Sequence, residues 1–201
     1  MKRVVLASGN PGKLREIRAI LAPLALEIVA QSELGIGEAE EPHHTFLENA
    51  LAKARHASTA SGLPAVADDS GLCVPALGGE PGVQSAYYAG RHGNREERDA
   101  RNNAKLLAQL SGRTDRRASY ACVVVLVRHA GDPRPIVAEG IWRGEIAQAP
   151  RGAGGFGYDP LFLVSGSGRT AAELDAAAKN RISHRAIALA ALIERLRDDS
   201  D

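Results

Sequence analysis

The apolar positions of this chain change period several times, and each change marks an element. Val4-Val5-Leu6-Ala7 is a short continuous apolar run, the pattern of a buried strand. Ser8-Gly9-Asn10-Pro11-Gly12 interrupts it, after which Leu14, Ile17, Ile20, Leu21 and Leu24 recur at helical spacing. Asn10 before Pro11 has the form of an N-cap with proline at the first helical position, which would aim backbone N–H groups and Lys13 into one spot. Thr45-Phe46-Leu47-Glu48 is a capping box opening a second helix that Ser61-Gly62 ends. Residues 64–67 read as a short strand that stops at Asp68-Asp69-Ser70-Gly71, and residues 94–110 as a charged helix with a solvated face. Residues 118–127 are β-branched and strand-like, with residues 136–141 as their hairpin partner across Gly131-Asp132-Pro133. Thr170-Ala171-Ala172-Glu173 is another capping box, opening a short helix; Ser183 caps a last amphipathic helix whose apolar side includes Ile187, Ala190, Ile193 and Leu196. Crossover units together with a hairpin predict an α/β fold around a mixed sheet.

At 201 residues with 44% apolar composition the chain fits one domain, 1–201, or two lobes sharing a core. A net charge of +1, from 25 basic and 24 acidic residues, supplies no broad field for nucleic acid or a membrane surface, so any anion site must be local. Cys73 and Cys122 have neither metal-ligand nor CxxC spacing, which suits a reducing compartment. The N-terminal apolar run is too short for a signal segment, and no run approaches the roughly eighteen residues of a membrane span. The expected location is cytoplasmic.

The residues that ordinary packing explains least lie at 154–162, Gly-Gly-Phe-Gly-Tyr-Asp-Pro-Leu-Phe. Glycines let a backbone approach a ligand, Phe156 and Tyr158 could sandwich a planar ring, and Asp159 could accept from its N–H edge. A Gly-rich hairpin with core aromatics fits the same letters. Two nucleotide motifs nearly occur and both fail. Gly9 to Lys13 lacks the P-loop spacing and the Ser or Thr after the lysine, and the GxGxxG match at 152–157 runs into Tyr158-Asp159-Pro160 where a helix should start. What survives is a helix start rich in Ser, Gly and Asn beside Lys13, suited to a polyphosphate, although a capped surface helix reads the same way. Ser183-His184-Arg185 puts cations at another helix start, where they oppose the dipole unless an anion or a ring compensates. Asp68 and Asp69 are adjacent carboxylates whose repulsion favours a bound cation or a raised pKa, and hard oxygen donors without a Cys/His cluster point to Mg²⁺. Glu38, Glu40 and Glu41 add carboxylates ahead of the second helix, and Lys53 falls two turns into it; each cluster taken singly is also an ordinary turn or solvated charge run.

Together, Ser8 to Lys13, Thr45 to Ala50, Asp68-Asp69-Ser70-Gly71-Leu72, Leu77-Gly78-Gly79-Glu80-Pro81-Gly82, Phe156 to Pro160 and Ile182-Ser183-His184-Arg185 closely resemble the inosine/xanthosine triphosphate pyrophosphatase family, in order and over nearly the whole chain. The resemblance implies an elongated two-lobed α/β fold with its active site in a cleft between lobes, a homodimer, and Mg²⁺-dependent cleavage of non-standard purine nucleoside triphosphates to monophosphate and pyrophosphate. It implies that Ser8, Gly9, Asn10, Pro11, Gly12 and Lys13 hold the phosphates, with Lys53 near them. Asp69 would be proton acceptor and metal ligand, and Glu40 or Glu41 would complete the metal site. Ser70, Phe156, Gly157, Tyr158, Asp159, Lys179, His184 and Arg185 would bind substrate, the aromatics and the final helix serving the base. Two positions depart from the pattern: Tyr87 stands after Ser85-Ala86 where the family usually has arginine, and Pro42-His43-His44 follows Glu41 where a glycine is common. A nucleotide-binding regulator without turnover and a phosphatase releasing orthophosphate are the competing expectations.

Overall fold

The structure is a computed structural model and describes residues 2–24 and 26–198. Strand β1 (Arg3–Leu6) leads into helix α1 (Pro11–Leu21), and the chain returns in β2 (Glu27–Ala30), parallel to β1. Helix α2 (Phe46–Ser61) carries it to β3 (Ala65–Cys73), also parallel to β1, with Val5 opposite Ala65 and Leu6 opposite Val66. Helix α3 (Arg95–Gln109) precedes β4 (Arg117–Val127) and β5 (Ile136–Ile146). Then come β6 (Phe162–Val164), antiparallel to β5, and helices α4 (Ala176–Ile182) and α5 (His184–Asp198). The order β2-β1-β3-β4-β5-β6 makes one mixed six-stranded sheet, so the α/β expectation holds. Among the described residues no helix is long and apolar enough to cross a membrane.

The chain forms two compact units, one from the residues through Asp69, Cys122–Gly140 and Ser183 onward, the other from Ser70–Ala121 and Ile141–Ile182. Strand alternation builds the first. Val4 and Leu6 pack with Ile17, Val66, Val124 and Leu189, while Val5 and Ala7 pack with Ala54, Ala57, Ala67 and Val125. Successive strand side chains point to opposite faces, so strands covered on both sides read as continuous apolar runs. The second unit is centred on Tyr120, Trp142 and Phe162, with Phe162 lying 4.8 Å from Tyr120 and 5.0 Å from Trp142 between ring centroids.

Local signals placed the helix starts well. The Thr45 hydroxyl accepts from the Glu48 N–H, and Asn94 likewise accepts from the Glu97 N–H ahead of α3. The capping box at 170–173 opens only the single 3₁₀ turn Ala171–Glu173. The 131–133 turn is held by Asp132, whose carboxylate accepts from the N–H groups of Arg128 and Arg134.

Three expectations need correction. Strand β3 does not stop at Asp68 but runs on to Cys73, because charged side chains do not disturb a backbone ladder when neighbouring helices supply their counter-ions. Helix α4 has no signature in the sequence, being seven residues, three of them Ala, with no period to detect. In α5 the deeply buried apolar residues are Ala188, Leu189 and Leu192; of the expected stripe, Ile193 and Leu196 are half-buried against that core, whereas Ile187 is 40% exposed and Ala190 exposed. A helix this rich in Ala, Leu and Ile carries two stripes of acceptable spacing, and its sequence cannot say which one faces the sheet. Tertiary contact decides: Gly140 lies so close to α5 that a Cβ there would run into the backbone of His184 and Ala188.

Accordingly, Leu189→Ala or Leu192→Ala should cost about 2–5 kcal/mol in urea denaturation, and Ile187→Ala no more than about 0.5 kcal/mol. Equal costs at the three positions would mean that the buried stripe is misassigned.

Candidate active site

Alternation along β3 governs the chemistry of the first unit. Val66 and Asp68 share the face covered by α1 and α5, and Ala67 and Asp69 share the face covered by α2. The two adjacent carboxylates therefore do not confront each other, as their sequence suggested; each has its own cations.

Asp68 is 1% exposed and accepts from Lys13 Nζ at 3.0 Å and from the Arg185 guanidinium at 3.2 Å, with the Cys122 thiol 3.9 Å away. Burial alone would raise its pKa, but Lys13, Arg185 and Lys53 hold it far below the usual carboxylate range. Arg185, only 1% exposed, also pairs with Glu16, and its own pKa is raised: burial opposes the charge, while Asp68 and Glu16 favour it. Arg185 thus lies in a buried ionic network, not at an open surface, and His184 beside it is buried too. The Cys122 thiol is pushed up to about 12 by burial and by the Asp68 charge, which makes it an inert neighbour.

Asp69 faces a different set. Its carboxylate accepts from Lys53 Nζ at 3.0 Å and from Asn49 Nδ2 at 3.3 Å, and Lys53 also donates to Glu41 at 2.5 Å. Burial raises the Asp69 pKa against the lowering effect of Lys53 and Lys13. Lys53 is raised above the ordinary lysine range: burial would lower it, but Asp69, Asp68 and Glu41 outweigh that effect. Asn49 was not singled out in the sequence. It sits in the first turns of α2 and is buried, a position where an amide needs a partner, and burial is what its letter could not reveal. Among the described residues no group of three or more His, Cys, Asp and Glu side chains converges as a metal site. Glu41 and Asp69 do present hard oxygen donors to one cationic spot, filled by the Lys53 ammonium, while Glu40, exposed like Glu41, is not among the partners of Lys53.

The loop at the start of α1 is largely satisfied from within. Asn10 Oδ1 accepts from the N–H of Gly12 at 2.9 Å and of Lys13 at 3.3 Å, and Ser8 Oγ accepts from the N–H of Asn10 at 3.3 Å. The expected N-cap is therefore present, and the amides expected to be free are engaged by it. Pro11 fills the first helical position. Gly9 lies against the Glu38 carboxylate, which a Cβ there would push aside.

The second unit holds the remaining expected residues. Ser70 follows Asp69 on β3 and is half-buried. Phe156 is half-buried, with the Lys179 ammonium 4.7 Å and the Arg95 guanidinium 4.8 Å from its ring centroid. Lys179 is buried against Asp159 at 2.6 Å, and the same Asp159 oxygen accepts from the Phe156 N–H at 2.8 Å. Tyr158 overturns its expectation. It is 2% exposed in the aromatic core, donates its hydroxyl to the Ser85 carbonyl at 2.9 Å, and has its pKa raised by burial, so it cannot stack on a ligand. Tyr87 carries two guanidiniums on its ring, Arg91 at 4.1 Å and Arg98 at 5.5 Å from the centroid, so cations surround the position that lacks an arginine. Helix α3 is not a bland solvated face: Asp99 accepts from the Gly157 N–H and Asn103 donates to the Gly157 carbonyl, both at 2.9 Å.

Known proteins resemble the chain over nearly its whole length. The family model described as the Ham1 family matches residues 4–195. A dITP/XTP pyrophosphatase of Ralstonia nicotianae is 64% identical, covering 98% of each chain. A protein of the same name from Burkholderia pseudomallei is 67% identical over 96% of this chain and 93% of its own. Among solved structures, a HAM1 protein from Coxiella burnetii superposes with a TM-score of 0.90 at 46% identity, over 98% of this chain and all of its own. The Staphylococcus aureus Ham1 protein gives 0.85 at 39%, with the same coverage.

Removing the Asp68 carboxylate strands two cations in a buried place. Asp68→Ala should therefore destabilise the protein by about 3–5 kcal/mol in urea or thermal denaturation. A loss below about 1 kcal/mol would show that the network is not buried as described.

Proposed function

The chain belongs to the Ham1 family and is a nucleoside-triphosphate pyrophosphatase, and on that premise we propose that it clears dITP, XTP and ITP from the nucleotide pool by cleaving them to monophosphate and pyrophosphate. The observation that carries the reading is the divergence of Asp68 and Asp69, one locked between Lys13 and Arg185, the other held at the edge of burial by Lys53 and Asn49.

Lys13 and the loop from Ser8 to Gly12 bind the polyphosphate, Lys13 lending charge and the helix start its dipole. Asp69 accepts the proton of the attacking water. Its raised pKa makes it a better base than a solvated aspartate, and Lys53 donating to Oδ1 and Asn49 to Oδ2 orient the carboxylate, each oxygen keeping a lone pair that can accept from the water. A divalent cation, Mg²⁺ by the hardness of the donors, fits the carboxylates of Glu41 and Asp69, with Glu40 the less suited of the two glutamates. When bound it would neutralise phosphate charge. For this to happen the Lys53 ammonium must yield its place between the two carboxylates, leaving it available to phosphate. Ser70, Phe156, Gly157, Asp159, Lys179, His184 and Arg185 are assigned to substrate, with Arg185 acting through Asp68. The reading includes a homodimer acting on free nucleotides in the cytoplasm.

Incubation with dITP, XTP or ITP and Mg²⁺, followed by product chromatography, should give monophosphate and pyrophosphate. Orthophosphate would convert the reading to a phosphatase, and binding without products to a regulator. Chelation by EDTA should abolish turnover and added Mg²⁺ restore it, whereas full activity in EDTA would remove the metal from the scheme. Asp69→Asn should keep the fold and lower kcat by roughly 10²–10⁴; near-normal kcat would remove Asp69 from its role.

A further inference from the structure

Lys53 holds Glu41 and Asp69 together, at 2.5 Å and 3.0 Å, and in the reading above it gives up that place to a divalent cation. Two carboxylates left without the ammonium repel each other. Glu41 lies on an exposed segment, residues 41–45, so a second tie is needed to keep it at Asp69. Asn49 is placed to supply it.

Asn49 is 2% exposed near the start of α2, where its backbone N–H donates to the Thr45 carbonyl. Its side-chain oxygen accepts from the His43 N–H at 3.1 Å, and its Nδ2 donates to the His43 carbonyl at 3.2 Å and to Asp69 Oδ2 at 3.3 Å. One amide thus takes both polar groups of an exposed backbone residue and one oxygen of a buried carboxylate. These partners also fix its orientation: turned over, it would set its oxygen against two oxygens and its NH₂ against an N–H. Pro42 stands between His43 and Glu41. Its ring fixes its own φ and biases Glu41 toward extended conformations, so Glu41-Pro42-His43 is a short, stiff arm. Holding His43 therefore holds the Glu41 backbone, whose Cα can stand no more than about 7 Å away.

Resting on the function proposed above, we infer that Asn49 is a positioning residue for cation binding: it ties the Glu41 arm to Asp69, so that the two carboxylates stay together when the Lys53 ammonium leaves them. The arm is held by the backbone of His43. Its imidazole, on an exposed residue, takes no part.

The test compares Asn49→Ala, His43→Ala, His43→Pro and Pro42→Gly with the unmodified chain. Asn102→Ala is the control, because Asn102 is also a buried amide that holds backbone, the carbonyls of Ser85 and Ala86 and the Ala89 N–H. The readouts are amide hydrogen exchange of the peptide spanning residues 38–45, Mn²⁺ binding by electron paramagnetic resonance with an α,β-imido analogue of ITP present, and the Mg²⁺ concentration for half-maximal rate. Asn49→Ala should speed exchange in that peptide and raise both the Mn²⁺ Kd and the Mg²⁺ requirement roughly ten- to a hundredfold, with the nucleotide KM at saturating Mg²⁺ within about threefold. His43→Ala should match the unmodified chain. His43→Pro deletes only the amide hydrogen that Asn49 accepts, at an exposed position, and should reproduce the metal effect; it decides alone if Asn49→Ala does not fold. Pro42→Gly should fall between the two. Asn102→Ala should lower Tm and leave the metal constants unchanged. Unchanged metal constants in Asn49→Ala and His43→Pro, a loss in His43→Ala as large as in Asn49→Ala, or an equal shift in Asn102→Ala would each overturn the inference. If the unmodified chain is fully active in EDTA and binds no Mn²⁺, the metal reading falls and the inference with it. Normal Mg²⁺ dependence with slow exchange retained in Asn49→Ala overturns the inference alone.

Discussion

The buried carboxylate of Asp68 is the constraint around which the first unit is arranged. A charge sealed from water on a central strand is tolerable only with partners in good geometry, and Asp68 takes one from α1 and one from α5. Those two pairings fix Lys13 in the first turn of α1, just after the loop from Ser8, and fix the first turn of α5, elements far apart in sequence. Glu16 then balances the second cationic partner from the other side. Replacing such a network by apolar side chains could leave the fold as stable, so its use here is positional: it determines where the positive groups stand.

Against that rigid group, Asp69 has the properties of a working residue. One step along the strand turns its side chain to the α2 face, where its partners are a lysine and an amide and not a closed ring of charges. Burial and opposite charge pull its pKa in contrary directions, and burial wins for Asp69, whereas opposite charge wins for Asp68. The same residue type thus acquires two chemistries because consecutive side chains on a strand face different neighbours.

In the second unit the corresponding device is a set of hydrogen bonds to backbone. Helix α3 offers Asp99 and Asn103, one turn apart, to the N–H and the carbonyl of Gly157, which belong to successive peptide groups, and that clamp, together with Asp159, holds the Phe156-Gly157 segment. Such hydrogen bonds orient a ring more than they stabilise a fold.

The amino-acid sequence by itself determined whatever depends on neighbours a few residues away: the starts of α1, α2 and α3, the N-cap at Asn10, the strand-helix-strand crossovers and hence an α/β sheet. These follow from local sterics, capping hydrogen bonds and hydrophobic period. The ordered motifs also carried the family resemblance, which the Ham1 match over residues 4–195 bears out. Only tertiary structure decided which stripe of α5 is buried, since both Ile187 and Leu189 lie on plausible apolar faces. It decided too that Tyr158 is core and Phe156 is not, that Arg185 serves Asp68, and that Asn49, Glu16 and Asp99 hold the groups around them. Each of these turns on contacts between residues distant in the chain, or on how deeply a side chain is buried, and neither quantity is written in the local pattern of letters.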